Sequence, residues 1–398
     1  MSQIVLGLNG GTIDYLAPWD GERFNAVVAG HAIGLGELDE PGPDLIATPR
    51  QAIVRLLRAM RDGRGGEWHV ENAAVVDYLL AAFPGEYVVG GTALRAAEVL
   101  DEAGVACLVH LTSSNDIVRA ALPGRVSVLE PAAGDSLEPH FVLQYPGDFT
   151  ARLADGEFRT PGRNRLILLR DLARARMELS PELPGAIARA SLLLLSGFNA
   201  LRDPAVLADR LQALRRMRDA AFVVYENGGF HSHQMQLAAW TAVPEIADLA
   251  SFNDEEAEAI LGQPFVGVPV EQTYSRLVEL RRRTTVRLLL VHSREWAVLL
   301  GEGAAGFGAE LQAAVETATR VASDRRLSVA DLRNRPFSVA GTELARRFGS
   351  SDVDAAVSPV REIGADAVRT IGLGDAFIGG FIASYARRLS PVGQQRAG

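Results

Sequence analysis

The chain has no lysine: all 40 of its basic residues are arginine. Such uniformity reads as genomic base composition. The functional alternative is a preference for arginine where a planar, bidentate grip on phosphate matters. Cysteine is nearly as scarce. Cys107 stands alone, which excludes an intrachain disulfide, and its place in the apolar run VACLV marks a small core residue. An excess of positive charge is also missing: 49 acidic against 40 basic residues leave a formal charge of -9. That balance argues against a general nucleic-acid binder, which would carry a basic field. No apolar run approaches the roughly 18 residues that a membrane helix needs. IVLGL opens the chain with no charged stretch ahead of it, unlike a signal peptide. The expectation is a cytoplasmic protein, monomeric or a small homo-oligomer, with neither membrane nor nucleic acid as partner.

What is present is alternation. Hydrophobic residues make up 48% and charged residues 22%, ordinary globular composition in a chain long enough for one core with an added lobe. IVLGL, YVVGG, VACLVHL, SLLLLSG, AFVVYE and VRLLLVH read as buried strands. Between several of them lie amphipathic helices. Thr48-Pro49 is an N-cap and first-turn pair, followed by Ile53, Leu56, Leu57 and Met60 at helical spacing. AVLADRLQALRRM repeats the pattern, and RRRTT is a solvated helix end. Strand-helix alternation implies a mostly parallel sheet covered on both faces, an α/β fold.

Two regions break the rhythm. Residues 11–48 are rich in Gly, Pro, Asp and Glu, with RFNAVVAGHAIG expected to form short alternating strands. Residues 138–172 hold HFVLQY and RLILLRD around a turn-rich stretch, which predicts antiparallel strands. The two insertions are expected to pair as a small β-rich lid over approximately 12–48, 63–71 and 138–172. The larger unit then takes 1–11, 49–62, 72–137 and 173–398.

RTIGLGDAFIGGF, near the chain's end, carries the chemistry. A glycine turn lets backbone N–H groups approach an anion, and a following helix start adds partial positive charge. Asp375 stands at the mouth of that turn. A carboxylate beside a phosphate is repulsive unless it serves another purpose. The natural one is general base, taking the proton of a hydroxyl that attacks phosphorus. The plain structural alternative is a helix-capping aspartate, with Gly379 and Gly380 allowing close helix packing.

GLGD late in a strand-helix unit resembles the ADP-dependent sugar kinases, the glucokinase and phosphofructokinase branch of the ribokinase-like fold. Other segments are similar in order: GLNGGTID, RAMRDGRGGEW, YVVGGTALRAAEVL, HFVLQYPG, SGFNAL, SFNDEEAEAILG and LVHSREWAVLL. The resemblance spans nearly the whole chain. It implies a three-layer αβα sandwich with a small lid, and transfer of the terminal phosphoryl group of ADP to a hexose or hexose phosphate with Mg²⁺. It implies Asp375 as base, with the backbone of Gly372, Leu373 and Gly374 as anion hole. Thr12, Asp14, Glu67, Gly90, Gly91 and His140 would meet the sugar. His292, Thr370 and Gly374 would meet the nucleotide, and Glu226 and Glu256 would attend the metal.

Some residues depart from the family pattern. Val224 stands where the family carries a histidine two residues before the glutamate, and Thr92 where asparagine is common. AFIGGF is similar to ATP-dependent ribokinase-like enzymes, so an ATP-dependent sugar or nucleoside kinase stays open, as does a catalytically idle sugar sensor. Arg163 and Arg165 would grip a phosphate if the acceptor carried one. His231 and His233 hint at zinc, but no further ligands follow at metal spacing.

Overall fold

The computed structural model describes residues 3–6, 12–112, 114–129, 138–217, 222–230, 232–369 and 371–389. Its centre is a nine-stranded sheet. From one edge the order is Ala355–Pro359, Trp296–Gly301, Leu288–His292, Leu249–Asn253, Phe222–Glu226, Ala190–Leu195, Gln3–Leu6, Cys107–His110 and Val126–Leu129. Every neighbouring pair is parallel except those made by Trp296–Gly301, which runs antiparallel to both of its partners.

The continuous apolar strands follow from burial on both faces. Side chains alternate across a strand. Leu193 and Leu195 therefore enter one core, with Leu207, Leu211, Met235, Val243 and Leu277, while Leu192 and Leu194 enter the other. That second core is closed by helices Thr92–Glu102, Gly308–Ala322 and Leu373–Leu389. The result is the three-layer αβα arrangement, with helix Leu373–Leu389 lying against both of its companions. Gly379 and Gly380 make this contact possible: a Cβ on Gly379 would come within 3.0 Å of Ala96 Cα, and one on Gly380 within 2.9 Å of Ala313 O.

A second sheet of six strands runs Leu45–Ile46, Gly66–Val70, Asn164–Leu169, His140–Tyr145, Thr12–Ala17, Glu86–Gly90. HFVLQY and RLILLRD do form antiparallel neighbours, Leu143 facing Leu166. One face of this sheet packs Phe141, Leu143, Tyr145, Leu166 and Leu168 against helices Gly21–Gly30, Pro49–Arg61 and Ala73–Ala82.

Two expectations change here. RFNAVVAGHAIG is largely helix, not short strands: Asp20 caps it through Arg23 N, and Phe24 and Val28, four residues apart, are buried together. YVVGG is not part of the large sheet either; Glu86–Gly90 is an edge strand antiparallel to Thr12–Ala17. With it, helices Pro49–Arg61 and Ala73–Ala82 join the second sheet's core, so that unit is larger than the three insertions. Among the described residues no helix is long and apolar enough to cross a membrane.

Candidate active site

The site forms where the second sheet meets the start of helix Leu373–Leu389. Gly372, with φ +72°, turns the chain into that helix, and Asp375 lies in its first turn. A helix start leaves backbone N–H groups without partners in the helix, a ready anion site. A Cβ on Gly372 would also stand 2.9 Å from Arg95 Nη1. The backbone favours glycine here, and a side chain would also have to displace Arg95.

Arg95 organises this end. It projects from helix Thr92–Glu102, which starts at Gly91, itself at φ +89°. Its Nη2 donates to Asp14 Oδ2 at 2.9 Å, and its Nε pairs with Asp375 Oδ2 at 3.5 Å. Burial opposes a charge there, but Asp14 and Asp375 outweigh it and raise the arginine's pKa. Thr12 Oγ1 donates to Asp14 Oδ1 at 2.9 Å, and His140 Nδ1 stands 3.8 Å from the same oxygen. The other ring nitrogen of His140 lies 3.2 Å from Asp171 Oδ2. Thr12, Asp14, His140 and Asp375 are thus joined in one chain of contacts.

Sequence reasoning missed both Arg95 and Asp171. A buried arginine inside the apolar helix pattern TALRAAEVL was the available signal, because a buried charge demands a partner. Gly90 serves the same cluster: a Cβ there would fall 2.1 Å from Asp14 Oδ2.

A second group lies on the other side of the glycine turn. A Cβ on Gly374 would stand 3.8 Å from both Glu226 Oε1 and His292 Cε1. Glu226 ends its strand fully in the interior, and its Oε2 has no hydrogen-bond partner among the described residues. Burial drives its carboxyl well above the ordinary range. Burial, and then the charge of Glu226, push Glu256 up to about 7. Glu256 also closes a reciprocal cap with Asn253, at 2.8 and 3.1 Å. His292 stacks on Phe377, ring centres 4.3 Å apart, and burial lowers its pKa. Val224 is sealed in the apolar core.

Two neighbouring carboxylates, Glu226 buried with an orphaned oxygen and Glu256 half-buried, fit a hard divalent cation. Among the described residues no three His, Cys, Asp or Glu side chains gather as a metal site. A pair of carboxylates is a set that Mg²⁺ can use, since it takes one or two and leaves its other positions to water and phosphate.

Glu67 lies on the second sheet, with Asn199 Nδ2 3.4 Å from its Oε2. Arg163, a candidate for gripping a phosphate on the acceptor, donates to Ala367 O, and Gln144 Nε2 donates to Val368 O at 3.3 Å. The second sheet thereby holds the segment leading into the glycine turn. Thr370 and His231, and the Gly7–Gly11 part of GLNGGTID, lie outside the described residues. A cavity of about 480 Å³ opens two residues beyond His292, lined by Val268, Pro269, Arg294, Glu295, Ser338 and Val339 among others.

Residues 2–233 match the family model described as the ADP-specific phosphofructokinase/glucokinase conserved region. The chain belongs to that family. Its fold agrees with this membership in the ADP-dependent sugar kinases. A hypothetical ADP-dependent phosphofructokinase from Pyrococcus horikoshii OT3 superposes with a TM-score of 0.73 at 16% identity, 98% of each chain being covered. An ADP-dependent kinase in complex with fructose-6-phosphate and ADPbetaS gives 0.76 at 14% identity, over 98% of this chain and 94% of that one. Anopheles gambiae adenosine kinase gives 0.55 at 13% identity, over 99% and 92%. These likenesses establish a ribokinase-like fold. No curated protein matches the sequence significantly.

Proposed function

We propose that this ADP-dependent sugar kinase moves the terminal phosphoryl group of ADP to a hydroxyl of an unphosphorylated hexose, with Asp375 as general base. The observation that carries the reading is the position of Asp375: directly after the glycine turn, at a helix start, and tied through Arg95 to Asp14 on the facing sheet. The acceptor hydroxyl gives its proton to Asp375 as its oxygen bonds to phosphorus. The bond from phosphorus to the bridging oxygen breaks, and AMP leaves. The backbone of Gly372, Leu373 and Gly374 holds the terminal phosphoryl oxygens.

Asp14, Thr12 and His140 border the acceptor end, and Glu67 receives a further sugar hydroxyl. A neutral hydroxyl suits Glu67, whereas a phosphate dianion would be repelled by it. Of the two arginines that could grip such a phosphate, Arg163 already gives its Nη1 to a main-chain carbonyl, that of Ala367. The six-stranded sheet serves as the lid, excluding water so that the phosphoryl group reaches sugar rather than solvent.

His292 and Gly374 flank the donor. Glu226 and Glu256 would hold Mg²⁺, which when bound neutralises charge on the phosphates. AFIGGF does not argue for ATP, since its glycines are occupied by helix packing. The loss of histidine at Val224 does not argue for an idle sensor, since Glu226 keeps an unpaired oxygen. Coupled detection of AMP release with a panel of hexoses, ADP and Mg²⁺ tests the proposal; no turnover with any of them would refute it.

A further inference from the structure

Arg95 is the residue that the activity does not yet account for. Its side chain is about 10% exposed, it emerges from an apolar helix face, and it meets two carboxylates through different nitrogens. A buried arginine is costly unless paired. Its placement is specific. Asp375 belongs to the large unit and Asp14 to the second sheet, so one planar guanidinium spans the boundary between them. It is itself held in register. Thr12 and His140 fix Asp14 from the other side, and Asp171 fixes His140. Gly90 and Gly372 each lack a side chain at the points where one would strike Asp14 or Arg95.

We infer that Arg95 is a positioning residue for phosphoryl transfer: it holds one oxygen of Asp375 so that the other faces the acceptor hydroxyl, and keeps that base in register with Asp14. The inference rests on the Asp375 reading above. It follows the logic by which a catalytic base is oriented by a third group. Phosphoryl transfer depends almost wholly on such positioning, and a misplacement of about 1 Å costs on the order of 10²-fold. The geometry also explains why lysine would not serve here, since a point charge cannot bridge two carboxylates through separate, coplanar donors.

The test compares Arg95→Gln and Arg95→Lys with the parent enzyme, using ADP, Mg²⁺ and the best hexose, and measuring ADP binding by calorimetry. Both variants should lose about 10²-fold in kcat, with ADP affinity unchanged, and lysine should not restore the rate. In the Asp375→Asn background, Arg95→Gln should cost nothing more, because Arg95 acts through that carboxylate. A merely structural arginine would instead lower the melting temperature and leave kcat of the folded enzyme intact. Should Arg95→Gln fail to fold, Arg95→Lys retains the buried charge and carries the same comparison. Full kcat in either folded variant, or a loss that adds in full to that of Asp375→Asn, overturns the inference while leaving the kinase reading standing. A parent enzyme that phosphorylates no hexose overturns both.

Discussion

Gly90 and Asp14 occupy the same space: a Cβ on residue 90 would lie 2.1 Å from Asp14 Oδ2 and 2.5 Å from Thr12 Oγ1. The glycine is what lets the carboxylate sit between Thr12 and Arg95. Gly90→Ala is therefore expected to push Asp14 aside, lowering stability by about 1–3 kcal/mol as overpacking does. The hexose KM should rise with it. Chemical denaturation and steady-state kinetics on the same preparation check both. A variant with unchanged stability and KM would mean that Asp14 has room to spare.

Asp375→Asn should reduce the chemical step by at least about 10²-fold. The amide matches the carboxylate in size but cannot accept the acceptor's proton. ADP affinity should be nearly intact, because in the proposed reading the glycine backbone, not this side chain, holds the donor. Rapid-quench turnover and calorimetric ADP binding separate the two. A near-normal rate would remove Asp375 from the mechanism.

Donor and acceptor choice follow from the room on each side of the glycine turn. The terminal phosphorus must lie between Gly372–Gly374 and the acceptor, so a pocket shaped for ADP would force the extra phosphate of ATP into the sugar site. ADP should accordingly exceed ATP in kcat/KM, and glucose or a close unphosphorylated hexose should exceed fructose 6-phosphate. Glu67→Ala should weaken hexose turnover. Measuring both donors against both acceptors decides the matter. An ATP value at or above the ADP value would move the protein to the ATP-dependent reading, with the fold and the place of Asp375 untouched.

Asp171 couples the site to pH through stability. Burial alone would raise its carboxyl, but the hydrogen bond and charge of His140, aided by Arg174, lower it below the ordinary value. A carboxyl depressed in the folded state adds stability above its unfolded pKa, about 3.9, and loses it as pH falls through the folded value. Asp171→Asn keeps an oxygen able to cap Arg174 N, a bond now 2.9 Å long, yet removes the charge. It should cost on the order of 2 kcal/mol at pH 7. The deficit should shrink progressively as pH falls below about 3.9. Denaturation at several pH values shows it, and a deficit independent of pH would exclude the charge as its cause.

Local pattern carried a great deal here. Continuous runs such as SLLLLSG can be satisfied only by burial on both faces, so a helix-covered parallel sheet was legible without coordinates, as was the turn-and-carboxylate wording of Gly372–Asp375. HFVLQY showed its two faces by alternation alone: Phe141, Leu143 and Tyr145 are in the core, and Gln144 reaches across to Val368. RFNAVVAGHAIG misled because its apolar residues satisfy either period over so short a stretch. Only the Asp20 cap and the shared burial of Phe24 and Val28 make it helix. YVVGG likewise announced a strand, but not which sheet would take it.

The clamp of Arg95 on Asp14 and Asp375 lay beyond any local reading. Its members are 81 and 280 positions apart in the chain, and nothing near any one of them specifies the other two. Composition, periodicity and turn chemistry act over a few residues, and these the sequence determined by itself. Which buried charges meet depends on how two sheets pack, since the energy of an ion pair falls with distance through space and takes no account of separation along the chain. The tertiary structure alone decided that Asp14 and Asp375 would share one arginine.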